Sequence, residues 1–97
     1  MIRFSKTYYT VVSIYDAKTQ IFLGRMGRRT TSRCSVRAKE AAIENVKHSV
    51  LESWSRNWWR SKYGITASQF DALLADGVIA PLESFTFKVD EHKPINP

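Results

Sequence analysis

The chain has 97 residues, a formal net charge of +6, one cysteine and two histidines. That length suits a single domain and excludes a deep core built round a large cavity. One thiol excludes an intrachain disulfide and, with only His48 and His92 to join it, a structural zinc site; a reducing cytosol is the expected compartment.

The charge is uneven. Residues 1–63 carry 13 Lys or Arg against 4 acids, whereas residues 64–97 carry 2 against 5. Such an imbalance points to a polyanionic partner, nucleic acid or an acidic protein surface. MIRFSKTYY contains no signal-peptide run and no window approaches the roughly 18 apolar residues of a membrane span, so no membrane partner is expected.

Tyr8–Tyr15 (YYTVVSIY) is rich in β-branched and aromatic residues and reads as a strand with apolar groups on both faces. The adjoining DAKTQ has turn chemistry, and Ile21–Leu23 resumes strand character, which predicts an antiparallel hairpin. From Gly24 to Ser35 two glycines and a run of Ser and Thr break the periodicity, and this segment reads as a basic loop. Arg25, Arg28, Arg29, Arg33, Arg37 and Lys39 succeed one another there with no acid before Glu40. The forked donors of the arginines fit phosphate or carboxylate oxygens.

Ser35 is the expected cap of a long helix running from about Val36 to Ser61 or Tyr63, with a kink expected near Ser53–Asn57. Its apolar row Ile43, Val46, Val50 continues at helical spacing to Trp54 and Trp58, which places those two indoles inward. Trp59 lies about 100° further round, flanked by Arg56 and Arg60, where an indole either serves as an interface anchor or packs under the first hairpin. Gly64 is placed to end the helix. Thr66 and Gln69 then form a T-x-x-Q capping box for a short helix over Ala67–Ala75, with Phe70, Leu73 and Leu74 as its buried stripe. ESFTFKVD alternates apolar and polar residues and reads as a third strand beside the hairpin. The expected fold is α+β: an N-terminal antiparallel hairpin, a long helix, a short helix and a C-terminal strand completing a small antiparallel sheet. Residues 1–90 form the single expected domain, and residues 91–97 (EHKPINP) are expected to be a disordered tail. Of the X–Pro bonds, Ala80–Pro81 is the one in a structured position; trans is the default, and a cis form would give a host prolyl isomerase a part in folding.

No phosphate loop, H-E-x-x-H, nucleophile elbow or metal-ligand cluster is present, so neither catalysis nor a cofactor is expected. The residues instead suggest a protein-binding modulator. Trp59, Arg56, Arg60 and Lys62 would anchor the partner, and Arg25, Arg28, Arg29 and Arg33 would supply electrostatic contact. The alternative is direct DNA binding, with phosphates contacted through the basic loop and helix.

MIRFSKTYYTVV at one end and SWSRNWWRSKYG in the middle give the chain a resemblance, over its whole length, to the anti-RecBCD accessory proteins of lambdoid phages, the Abc type. The resemblance implies a phage protein that binds the host RecBCD helicase-nuclease through its RecC subunit and alters its nuclease activity and Chi response to favour phage recombination. It also implies DNA near that complex. The family has no short signature motif, so the resemblance assigns no site residue.

Overall fold

A computed structural model describes residues 5–95. In chain order it contains β1 (Lys6–Asp16), β2 (Phe22–Ser32), α1 (Ser35–Ser49), a π-helical turn (Val50–Ser55), α2 (Arg56–Tyr63), α3 (Ala67–Ala75), a 3-10 turn (Pro81–Ser84) and β3 (Phe85–Pro94). The strands form one antiparallel sheet in the order β2-β1-β3, with β1 paired along both edges. This is the α+β arrangement expected, with the C-terminal strand completing the hairpin's sheet.

Alternation along β1 assigns the two faces. Thr10, Val12 and Ile14 are fully buried on the face that α1 covers, where Val12 and Ile14 pack with Val46 and Val50. Met26, Trp54, Phe85 and Phe87 close round that cluster. Ala38 and Ala42 are also fully buried, and their small side chains suit close approach of α1 to the sheet. Tyr9, Val11, Ser13 and Tyr15 point the other way.

Four expectations are corrected. Gly24–Ser32 is strand, not loop. In register with β1, its small and β-branched residues have packing roles: Gly27 lies under the Tyr9 phenol, which a methyl group there would strike, and Thr30 Oγ1 donates to the Ala38 carbonyl at 2.9 Å. Glu91–Pro94 are not tail but strand, paired with Tyr8–Val11, and the Ile95 amide donates to the Thr7 carbonyl at 2.8 Å. Two prolines and four polar residues concealed that pairing because β3 is an edge strand, where a missing N–H is tolerated. Asn96 and Pro97 lie outside the described residues. Ser35 is the first residue of α1, not its cap. Cys34 takes the N-cap position without a side-chain bond, and the Ser35 hydroxyl meets His92 Nε2 at 2.9 Å. The fourth correction concerns the tryptophans and is taken up with the site they form.

The second connection is as expected. Gly64 ends α2 in the left-handed region at φ 61°, and the capping box of α3 is complete: the Gln69 amide donates to Thr66 Oγ1 at 3.1 Å, and the Thr66 amide donates to Gln69 Oε1 at 2.7 Å. Phe70 is fully buried and Leu73 and Leu74 are half-buried. The described residues contain no cis peptide bond, so Ala80–Pro81 is trans.

Candidate protein-docking groove

Helical segments run without a break from Ser35 to Tyr63, but the six residues Val50–Ser55 are wound as a π-helix. A π turn holds one residue more than an α turn, so side chains beyond it lag by about one residue, roughly 100°. The inward row Ala38, Ala42, Val46, Val50 therefore continues at Ser55 and Trp59, where an unbroken α-helix would place Trp54 and Trp58. Ser55 is 2% exposed and Trp59 is half-buried, while Trp58 is 53% exposed. The inward and outward placements that unbroken α winding would give Trp58 and Trp59 are thus exchanged. Trp54, within the π turn, keeps its inward position against the core cluster and lies edge-on to Phe85 at 6.5 Å.

The three indoles line one groove of about 620 Å³ between the β1–β2 turn, the π turn, the start of α2 and the 3-10 turn. Leu23, Trp54, Trp58, Trp59, Pro81 and Phe85 are its apolar lining, and Asp16, Lys18 and Glu83 add charge at its margin. Two backbone features hold the walls in place. The Ala17 amide donates to the Ser84 carbonyl at 2.9 Å, tying the hairpin turn to the 3-10 turn. Asp16 Oδ1 accepts the amides of Thr19 at 2.8 Å and Lys18 at 2.9 Å. The Thr19 amide and hydroxyl, followed by the Lys18 amide and ammonium, hold the Asp16 carboxyl below the usual carboxylate range. Where Gly24 faces the groove wall, a Cβ would stand 3.2 Å from the Trp54 ring, so the glycine admits the indole. The buried hydroxyl of Ser55 has no hydrogen-bond partner among the described residues.

The aromatic wall extends along α2. Trp59 meets Trp58 edge-on at 5.6 Å and stacks on Tyr63 at 4.9 Å, and the Lys62 ammonium stands 4.5 Å from the centre of the Trp58 ring. Lys62 thus stands beside the tryptophans. Arg56 does not stand free beside them: its Nη2 reaches both Glu52 Oε2 and Asp71 Oδ1 at 2.9 Å, and its guanidinium lies over Phe70, fastening α2 to α3. Arg60 lines a separate, shallow depression with Asn57, Ser61, Gly64 and Ile65.

The strand pairing also divides the arginines. Arg28 stands opposite Thr10 and so faces α1, where its Nε donates to Asn45 Oδ1 and its Nη2 to Ser49 Oγ, both at 2.8 Å. Arg25 and Arg29 alternate to the uncovered face, and Arg33 is exposed in the short link before α1. The expected single basic loop is therefore three separate placements.

Sequence reasoning missed two polar junctions because both join residues from opposite ends of the chain, 57 to 82 positions apart. His92 Nε2 is 3.0 Å from the Ser35 carbonyl, which can only accept, so that nitrogen is the donor there, and Nδ1 lies 2.8 Å from Thr10 Oγ1. Stacked on Tyr8 at 5.2 Å, His92 joins β3 to the start of α1. On the opposite face, Asp90 accepts from Ser13 Oγ and pairs with Arg25 at 3.4 Å. The described residues hold no group of three or more His, Cys, Asp or Glu arranged for a metal, and no helix among them is long and apolar enough to cross a membrane.

Compared with known proteins, the chain matches no family model, no curated protein and no solved structure.

Proposed function

We propose that this chain is a non-enzymatic modulator that acts by docking a protein partner on its tryptophan groove. The observation that carries the reading is the exposure of Trp58 beside the half-buried Trp54 and Trp59, in a concave apolar site of about 620 Å³ rimmed by charge. A small domain gains stability by burying each indole it has, and recognition is the physical reason to leave one half in water. The resemblance of MIRFSKTYYTVV and SWSRNWWRSKYG to the lambdoid-phage anti-RecBCD proteins supplies the partner: the host RecBCD helicase-nuclease, engaged through RecC in the host cytoplasm, with its nuclease and Chi response altered to favour phage recombination.

Binding of the purified chain to immobilised RecBCD tests this directly. Wild type should bind, and Trp58→Ala should weaken binding by about 2 kcal/mol or more while staying folded. Equal binding by the folded Trp58→Ala protein would remove the groove from recognition. Failure of wild type to bind RecBCD would remove the partner.

A further inference from the structure

The sheet face that α1 leaves uncovered is the second unusual surface of the molecule. Among the described residues no helix packs on it, and its composition is not that of a face left merely to solvent. Pairing across the three strands sets Arg29 and Lys93 on either side of Tyr9, and Arg25 and Lys88 on either side of Ser13. Tyr15 lies in the same row of β1 beyond Ser13. Cations thus border a central line that bears aromatic rings.

Two details fix how the rings are presented. The Tyr9 phenol lies across the neighbouring strand over Gly27, a position that any side chain larger than glycine's would fill. Tyr9 remains partly exposed there. Tyr15 meets Phe22 edge-on at 5.7 Å, has the Lys88 ammonium 5.1 Å from the centre of its ring, and is likewise partly exposed. Of the two acids here, Asp90 is held by Ser13 and Arg25, and Glu91 by Lys93 at 2.9 Å. Arg29 and Lys88 have no carboxylate partner among the described residues.

We infer that this face binds a single strand of nucleic acid without regard to sequence, bases stacking on Tyr9 and Tyr15 and phosphates meeting the unpaired Arg29 and Lys88, with Arg25 and Lys93 exchanging their exposed carboxylate partners for phosphate as the strand docks. Flat rings inside a basic border are the two parts such recognition requires. Tyr9 and Tyr15 are six residues apart on one strand, about 20 Å, which spans several nucleotides. A duplex hides its bases from stacking, so the same face should discriminate against it. The surface is distinct from the tryptophan groove, and the inference does not depend on the groove's partner.

The test is fluorescence anisotropy of a labelled 15-nucleotide oligothymidylate titrated with the full chain, beside a duplex of equal length. Single-strand binding should weaken about 7- to 50-fold between 50 and 200 mM salt, as expected for two to four neutralised phosphates. Tyr9→Leu keeps apolar bulk over Gly27 but removes the stacking platform, and should weaken binding at least fivefold with little change in thermal midpoint. Arg29→Glu, at an exposed position, should do the same. Arg37→Glu makes the same charge change on exposed α1 surface and should have under half the effect on a logarithmic scale. No binding of the oligothymidylate at 50 mM salt would overturn the proposal. So would duplex bound as tightly as single strand, or equal losses from Arg37→Glu and Arg29→Glu, since binding would then depend on net charge alone.

Discussion

Alanine substitution at Trp54 and Trp58 separates packing from recognition. An enclosed aromatic side chain buries about 150–250 Å². With Trp58 53% exposed, roughly 100 Å² is withdrawn from water, and at about 25 cal/mol/Å² this gives an upper bound near 2.5 kcal/mol. Trp58→Ala should therefore cost about 1–2 kcal/mol, whereas Trp54→Ala, which opens a space against the core and against Gly24, should cost about 3–5 kcal/mol. In a domain of this size each kcal/mol lowers the midpoint by about 4–8 °C, so circular dichroism melts resolve the two readily. Binding to the proposed partner, RecBCD, should rank them in the other order when assayed cold enough for both to be folded: Trp58→Ala should lose more affinity than Trp54→Ala. A Trp58→Ala midpoint as low as that of Trp54→Ala would refute the rotation assigned to the π turn. Full affinity in the folded Trp58→Ala protein would refute the role assigned to the groove.

Neighbouring arginines should differ as the strand alternation demands. Arg28→Ala, which deprives Asn45 and Ser49 of a charged donor, should cost about 1–3 kcal/mol in chemical denaturation, and Arg29→Ala should stay within about 0.5 kcal/mol. Thr66→Ala should lose about 0.5–2 kcal/mol with the capping bond, and RecBCD affinity of the folded variant should not change. Because the folded-state pKa of Asp16 is lowered, its contribution is full above the unfolded value of about 3.9 and is lost as pH falls through the folded one. Wild type should accordingly lose more midpoint than Asp16→Asn between pH 5 and pH 2; parallel curves would show that the turn's amide bonds do not depend on this carboxylate.

The elements whose signals are local were legible in the residues. β1 declared itself by β-branched and aromatic density, and α3 by a capping box whose bonds lie within four residues. β2 and the end of β3 were not, because their strand character comes from the partner: Gly27 is explained by the Tyr9 ring on the adjacent strand, and His92 by Thr10 and Ser35. A window of sequence read alone sees glycine, arginine and proline there, and those residues argue for loop. The same limit applied to the candidate site. Three tryptophans among basic residues drew attention to the stretch that lines the groove, yet which indole is free depends on one extra residue in a helical turn. Ser53 and Asn57 hinted at an irregularity nearby without fixing the helical phase of the residues beyond it.

That extra residue yields a sharp test. A π turn inside a helix is equivalent to an α-helix with one residue inserted, so removing one residue from it should restore α winding and leave everything downstream in place. Ser53 is the suitable choice, being exposed, with a hydroxyl that only bonds back to the Ser49 carbonyl at 2.7 Å. Its deletion would bring the downstream residues into continuous helical spacing from Val50, with Ser55 and Trp59 still facing inward and Trp58 still half in water. The midpoint should hold or rise, since α winding gives better hydrogen-bond geometry, and affinity for RecBCD should persist. Deleting the exposed Glu44 from α1 removes a residue from a turn with none to spare. Everything beyond it would rotate by about 100°, carrying Val46 and Val50 out of the core, and most of the stability of the domain should be lost. If deletion of Ser53 proved as damaging as deletion of Glu44, the π turn would not be an insertion absorbed by the helix, and the exchange of Trp58 and Trp59 would need another cause.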